Sequence, residues 1–313
     1  MKKNTGILLA VALSLIGVLL SFAFQDLNRL RPAASLPSDE KGGLSNVPCR
    51  IICSAPNIVE CVYALGEEKR IVGVSDFVDY PTEALQIERI GGFIDPDFEK
   101  MLSLRPDLII LQGRMQKHEE FCVDKKIPYL RADMDSMNTI FDGIRAIGAV
   151  LGCEKKADQL VREKMKTLNE IRRKSSRIQT KPTVFLCLGR RAHSLTGVFT
   201  VHPSSFVNEL LEIAGGENIF NDVQGRYPQI SKESLLKRNP DVIIEFHPGE
   251  DMPPDSFPSL ISDWNIMPTL AAVASKRIYI VTNDYLLVPG PRITQTAQTL
   301  FDILHDDAYD SSS

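Results

Sequence analysis

Four aromatic side chains stand in loops that follow predicted β-strands, where α/β proteins present their ligand-binding groups. They are Phe77, Phe93, Tyr227 and Tyr285. Aromatic rings in such loops offer flat apolar surface on which a large planar molecule can stack, although each ring taken alone is as consistent with core packing. The set as a whole predicts a binding site for a large flat ligand.

Two polar residues in the same kind of loop are candidates for orienting that ligand. Asp284 would accept a hydrogen bond from an amide group of the ligand, or would instead cap its own turn. His193 would offer an imidazole nitrogen as an axial or polar contact to a metal-centred macrocycle. Loop arginines at 190, 191 and 226 would face an anionic group or solvent.

Catalysis and bare-metal binding receive little support from the sequence. The five histidines lack metal-ligand spacing, and no GxGxxG, P-loop or GxSxG motif is present. The six cysteines have no CxxC spacing, so we expect mostly buried thiols. An enzyme or metallocluster protein would need cysteine or histidine ligands that converge on the cleft, for which Cys187 and His193 are the only hint.

Two glutamates occupy matching places in a repeated phrase. Residues Asp97 to Ile110 and Ser231 to Ile244 share a cap residue, a glutamate, a Pro-Asp pair and an apolar strand at a constant offset. Glu99 and Glu233 each lie in the predicted first turn of a helix, where a carboxylate favours the helix dipole. Because the pattern recurs, the two carboxylates are also expected at opposite ends of one face.

A long predicted helix between the two copies organises the chain. Apolar side chains recur at helical spacing from Glu154 to Ile178 against a charged face. Such a helix runs roughly 35 Å, which is longer than a compact α/β crossover requires. We therefore predict an α/β fold: two lobes with mostly parallel central sheets joined by one long rigid helix.

The predicted boundaries begin with an export segment. Residues 1–23 read as a signal peptide or an N-terminal anchor, because Met1-Lys2-Lys3 precedes an apolar run from Ile7 to Phe24. Residues 24–47 read as a flexible tether. The first lobe then spans 48–152, the interlobe helix 153–179 and the second lobe 180–307, and 308–313 is a disordered tail. The expected location is periplasmic, with a membrane tether if the signal is uncleaved.

Length and composition fit this organisation. A chain of 313 residues that is 43% hydrophobic suits two modest globular domains. Its net charge of −4 gives no support for a nucleic-acid partner. We expect a monomer.

Several stretches resemble the helical-backbone, or class III, substrate-binding proteins of ABC importers. These stretches are Cys53 to Glu60, Ala64 to Gly66, Val72 to Val74, Glu99 to Ile110 and Pro289 to Ile293. The resemblance covers nearly all of residues 50–305. Within the family, Gly216 to Phe220 followed by Tyr227 to Glu233 looks most like its cobalamin binders.

The resemblance implies a protein that binds a ligand and performs no reaction. It would need no cofactor, and would capture a corrinoid, cobalamin-like ligand between its lobes for the membrane subunits of an ABC importer. The family places aromatic ligand contacts at the positions of Phe77, Phe93 and Tyr227.

The same resemblance gives the paired glutamates a partner and leaves an alternative ligand open. Glu99 and Glu233 would meet arginines of the importer's two membrane subunits. Residues Leu286 to Val288 are apolar where relatives often carry a basic residue. A ferric-siderophore or haem binder of the same class is therefore the alternative.

Overall fold

A computed structural model describes residues 47–191, 194–225, 228–248 and 254–305. The predicted signal segment, most of the tether, the tail and the candidate ligand residues His193 and Tyr227 lie outside these ranges.

The first lobe is built on a four-stranded parallel sheet with strand order β2-β1-β3-β4. Its strands are almost entirely apolar because helices cover both faces of a parallel sheet. The elements are β1 (Ile51–Cys53), α1 (Pro56–Ala64), β2 (Ile71–Val74), α2 (Phe98–Ser103), β3 (Leu108–Gln112), α3 (Gln116–Lys125), β4 (Tyr129–Ala132) and α4 (Met137–Val150).

The long interlobe helix, α5 (Glu154–Ser175), has 22 residues and ends three residues before the predicted Ile178. It is tied to the first lobe where it starts, since a Cβ added at Gly148 of α4 would lie only 2.4 Å from the Cβ of Ala157. It is tied to the second lobe where it ends, since the Ser175 hydroxyl donates to the Ile213 carbonyl at 2.8 Å. The predicted bridging helix is confirmed.

The second lobe contains a mixed sheet with strand order β10-β9-β5-β6-β8, and β7 also pairs with β5. Its elements are β5 (Thr183–Gly189), β6 (Val198–Thr200), α6 (Phe206–Ala214), β7 (Glu217–Asn218), β8 (Gln229–Ile230), α7 (Lys232–Arg238), β9 (Val242–Phe246), α8 (Phe257–Ser262), α9 (Ala271–Ala274), β10 (Ile278–Val281) and α10 (Ile293–His305). β6 is antiparallel to β5 and to β8, and neither β6 nor β8 was predicted, because strands of two or three residues are too short to show alternation.

One apolar cluster runs from the first lobe through α5 into the second lobe. The opposite face of the second sheet packs around Phe185, Phe220 and Trp264, whose rings meet edge to face. The described cysteines carry free thiols, exposed at Cys49 and buried at the other positions, as the sequence predicts. Within the described ranges, no helix is long and apolar enough to span a membrane.

Candidate functional site

A cavity of about 1150 Å³ lies between the two lobes at the carboxyl ends of their strands. The first lobe contributes the turn after β1 and the ends of β3 and β4. The second contributes the ends of β5 and β6, the start of α6 and the loop after β10. The lining residues are Ala55, Pro56, Asn57, Gln112, Met134, Asp135, Leu188, Phe199, Val201, His202, Ser204, Ser205, Phe206, Val207, Gly225, Leu287, Val288 and Pro289.

The lobes touch at one side of this cavity through the starts of α4 and α6. The Phe206 amide donates to the Asp135 carbonyl at 2.9 Å, and the Met137 amide donates to Glu209 Oε1 at 3.2 Å. Partial burial raises the pKa of the Glu209 carboxyl, and the Met137 amide offsets this only in part.

A second contact joins α1 to the loop after β10. Arg292 donates from Nη2 to Glu60 Oε1 at 2.7 Å and from Nε to Glu60 Oε2 at 3.0 Å. Its Nη1 donates to Asp284 Oδ2 at 2.8 Å, and its guanidinium lies 3.8 Å from the centre of the Tyr80 ring. Burial raises the pKa of Glu60, and the nearby Arg292 cation offsets this only in part.

Two amide side chains at the carboxyl ends of β1 and β3 face the cavity. Asn57 Nδ2 donates to Gln112 Oε1 at 2.6 Å and to the Pro289 carbonyl at 3.3 Å. Because the Gln112 oxygen accepts from Asn57, the Gln112 amide nitrogen can donate to a ligand.

His202 presents a defined tautomer to the same cavity. Its Nδ1 lies 3.1 Å from the Ser204 amide and 2.7 Å from the Ser204 hydroxyl. Because a backbone amide can only donate, Nδ1 is the acceptor and the proton of the neutral ring is on Nε2. His202 therefore offers the cavity an N–H donor rather than a lone pair for a metal.

Cationic side chains are absent from the described lining, in which Asp135 is the only charged group. Arg190, expected to face an anionic ligand or solvent, is instead buried. Its Nε lies 2.9 Å from Glu245 Oε1 and its Nη1 lies 2.8 Å from Asp263 Oδ2. His247 Nε2 lies 3.0 Å from Glu245 Oε1, and Trp264 Nε1 donates to the other oxygen of Glu245 at 2.9 Å. His247, Arg190 and Trp264 together hold the pKa of Glu245 below its usual value despite burial.

The predicted aromatic residues of the first lobe lie outside the cavity lining. Phe77 and Phe93 are 65% and 58% exposed, in two loops at the carboxyl end of the edge strand β2. These loops touch, since the Asp76 amide donates to the Gly91 carbonyl at 3.2 Å. Their contact with a ligand stays a prediction.

The other predicted ligand residues have partners within the protein or are not described. Asp284 binds Arg292, and the Tyr285 hydroxyl lies 2.9 Å from the Thr299 hydroxyl. His193 and Tyr227 fall outside the described residues, and a ligand role for all four stays a prediction.

Sequence reasoning missed the residues that line the cavity itself. Gln112 ends the strand β3, so the rule that parallel sheets bind ligands at strand ends could have found it. Phe199 lies 40% exposed on the unpredicted strand β6, and His202 follows that strand, so neither carried a usable signal. In the described part of the chain, no group of three or more histidine, cysteine or acidic side chains is placed to hold a metal ion.

Glu99 and Glu233 are exposed in the first turns of α2 and α7, as predicted. Asp97 accepts from the Lys100 amide at 2.8 Å and Ser231 accepts from the Ser234 amide at 3.1 Å, which confirms both helix caps. Backbone and Ser231 hydrogen bonds lower the pKa of Glu233. Each helix runs back along its sheet before a parallel strand, so its first turn lies toward the edge that holds the cavity.

Comparison with known proteins identifies relatives over most of the chain. Residues 51–285 match a family model described as periplasmic binding protein. An uncharacterized ABC transporter substrate-binding lipoprotein of Bacillus subtilis, YvrC, is 27% identical over 87% of this chain and 85% of its own. The vitamin B12-binding protein of Pectobacterium carotovorum is 27% identical over 81% of this chain and 87% of its own. The periplasmic vitamin B12 binding protein BtuF of Vibrio cholerae superposes with a TM-score of 0.69 and 25% identity, covering 82% of this chain and 97% of that one.

Proposed function

The chain belongs to the periplasmic binding protein family, and from that premise we propose that it captures a corrinoid, cobalamin-like ligand in its interlobe cavity and delivers it to an ABC importer. We propose no chemical reaction. The ligand binds to groups that the fold already holds in place, which keeps the entropic cost of binding low.

The chemistry of the described lining carries the choice of ligand. A corrinoid has a flat macrocycle edged with amide groups, whereas haem carries carboxylates and ferric catecholates are anionic. Gln112 and His202 supply N–H donors for the amide oxygens. A described lining without a cationic side chain favours these neutral amides over an anionic chelate.

The size and apolar surface of the cavity also support a large ligand. A volume of about 1150 Å³ lies just above the usual range of about 300 to 1,000 Å³ for small-molecule sites. Phe199 and the Leu287–Pro289 segment supply apolar surface on the second lobe, and Met134 supplies it on the first. Two relatives named as vitamin B12-binding proteins agree with this ligand class.

We propose that Glu99 and Glu233, in the first turns of α2 and α7, dock the protein on the importer when it delivers its ligand. Glu99 and Glu233 are exposed, one on each lobe, and each would meet an arginine of one membrane subunit. We further propose that the protein is exported by its N-terminal segment and acts as a monomer.

Visible absorption spectroscopy of the purified protein tests this proposal. Cyanocobalamin, haem and a ferric catecholate have distinct spectra, so each can be titrated separately. We expect the protein to retain the corrinoid after desalting, saturably and one-to-one. In the separate haem titration we expect no change of the kind that histidine ligation produces in the iron spectrum. Saturable binding of haem or of the ferric chelate, with no retention of the corrinoid, would overturn the ligand assignment.

A further inference from the structure

The outermost face of α5 carries a straight row of basic side chains. The basic ridge consists of Lys155, Arg162, Lys166 and Arg173 on the helix and Arg177 two residues after its last residue, Ser175, at alternating spacings of seven and four residues. At 3.6 residues per turn these spacings return to the same side of a helix. All five are exposed, and the ridge lies opposite the buried row of Ala157, Val161 and Leu168.

The fold makes no use of these charges. None of the five side chains forms an ion pair with a carboxylate in the described part of the chain. Basic groups beside the ridge do find partners, since Lys156 Nζ lies 3.4 Å from Glu67 and Arg145 Nε lies 3.2 Å from Asp158. The acidic groups on the same helix, such as Glu163 and Glu170, lie toward its flanks. Like charges four residues apart, such as Arg162 and Lys166, repel each other.

The shape and charge of the ridge fit an extended anionic plane. From Lys155 to Arg173 the row is straight for about 27 Å, which suits a flat surface better than a pocket. The ridge contributes five positive charges to a chain whose net charge is −4, so the rest of the molecule is more acidic still. No described residue that lines the cavity belongs to α5, so a partner on the ridge leaves the cavity open.

The position of Val47 indicates that the anionic surface facing the ridge is a membrane. A Cβ added at Gly152 would lie 3.4 Å from Val47 Cγ2, so the chain before Val47 joins the fold beside the first turn of α5. That preceding chain contains the apolar run Ile7 to Phe24. We propose that the basic ridge binds the anionic phospholipid headgroups of the membrane surface.

Lysine footprinting of the full chain tests this surface. It reads each ridge lysine separately, so contact of the ridge with lipid is distinguished from insertion of the apolar segment. The protein is mixed with vesicles of phosphatidylcholine alone or with about one-third phosphatidylglycerol, a composition that creates a negative surface potential. Acetylation rates are then read by mass spectrometry. We expect Lys155 and Lys166 to react at least threefold more slowly on anionic vesicles, with the difference lost in 0.5 M salt, while the exposed Lys125 and Lys237 are unchanged.

A charge-matched pair of variants separates the ridge from net charge. The first variant replaces the five ridge residues by Gln; the second replaces five basic residues elsewhere, Lys69, Arg114, Lys117, Lys237 and Lys276. The dependence of vesicle flotation on anionic lipid should be lost in the first and kept in the second. Equal lysine reactivity on both vesicle types would overturn the proposal. Protection by native envelope vesicles but not by pure lipid would also overturn it, in favour of an acidic protein partner.

Discussion

Arg292 of the second lobe and Glu60 of the first lobe form a two-point ion pair, with N–O distances of 2.7 and 3.0 Å. Both are largely buried, at 9% and 3% exposure. The pair lies beside the Leu287–Pro289 segment that lines the cavity. It therefore fixes that segment against the first lobe.

Removing Arg292 should destabilise the protein strongly. Arg292→Met leaves the Glu60 carboxylate buried without its partner, and we expect a loss of about 3 to 5 kcal/mol in the free energy of unfolding. The double variant Glu60→Met with Arg292→Met should recover most of this loss, because no unpaired charge remains at Glu60. Urea denaturation measures both. As a control, Arg145→Met removes an exposed pair and should cost less than about 1 kcal/mol. Equal losses for the single and double variants would contradict the pairing argument.

Shortening the aromatic groups around the cleft should weaken corrinoid binding. Phe199→Ala removes apolar surface inside the cavity, and Phe93→Ala removes a ring from an exposed loop that is predicted to contact the ligand. Each should cost about 1 to 3 kcal/mol of binding free energy. Apo thermal midpoints should change little, since both side chains are at least 40% exposed. Binding is measured by titration, followed by the absorbance of the ligand. The control is Val123→Ala, which shortens an exposed apolar residue of α3 outside the lining and should leave the affinity unchanged. Unchanged corrinoid affinity in the Phe199 variant would show that the ligand does not bind in this cavity.

Reversing the paired glutamates should abolish delivery without affecting ligand binding. In Glu99→Arg with Glu233→Arg, each proposed contact with a transporter arginine becomes a like-charge repulsion. Single reversals should be intermediate, because the other lobe still engages. The measurement is binding of ligand-loaded protein to its importer in nanodiscs at two salt concentrations. Glu83→Arg with Glu217→Arg makes the same change in charge at exposed sites and should bind normally. Normal binding by the Glu99 and Glu233 double variant would exclude the docking role and leave both residues only a role in stabilising their own helices.

His118 should make the stability of the first lobe depend on pH. Burial in α3 beside Phe98, and secondarily the Lys117 cation, lower its pKa to about 4. The unfolded chain therefore takes up the proton first as the pH falls, and stability is lost between about pH 6.5 and pH 4. Between pH 7 and pH 5, the free energy of unfolding should fall by about 2 kcal/mol less in His118→Phe than in the unmodified protein. Parallel pH profiles of the two proteins would show that His118 has an ordinary pKa.

Much of the architecture could be predicted because it rests on long-range periodicity. The heptad-like apolar row of α5 and the apolar runs of β3 and β9 each repeat a pattern over enough residues to be read directly. The caps at Asp97 and Ser231 were equally readable, because a cap needs only one short polar side chain before a helix.

The place of the cavity between the lobes was expected, but most of the residues that line it could not be predicted, because they come together only where the two lobes meet. No local pattern around Arg292 points to its partner Glu60, which lies in the other lobe, far away along the chain. The tautomer of His202 likewise depends on the amide of Ser204 in a folded turn. Contacts of this kind follow from tertiary packing, which no local pattern encodes.

Calorimetric titration of the full chain with cyanocobalamin or cobinamide tests directly whether the interlobe cavity holds a corrinoid. We expect one-to-one binding, with a negative heat-capacity change from burial of the apolar macrocycle, and weaker affinity in the folded Phe199→Ala variant. A folded protein that releases no heat with either corrinoid, and shows no binding by desalting, would contradict the claim that the interlobe cavity holds a corrinoid.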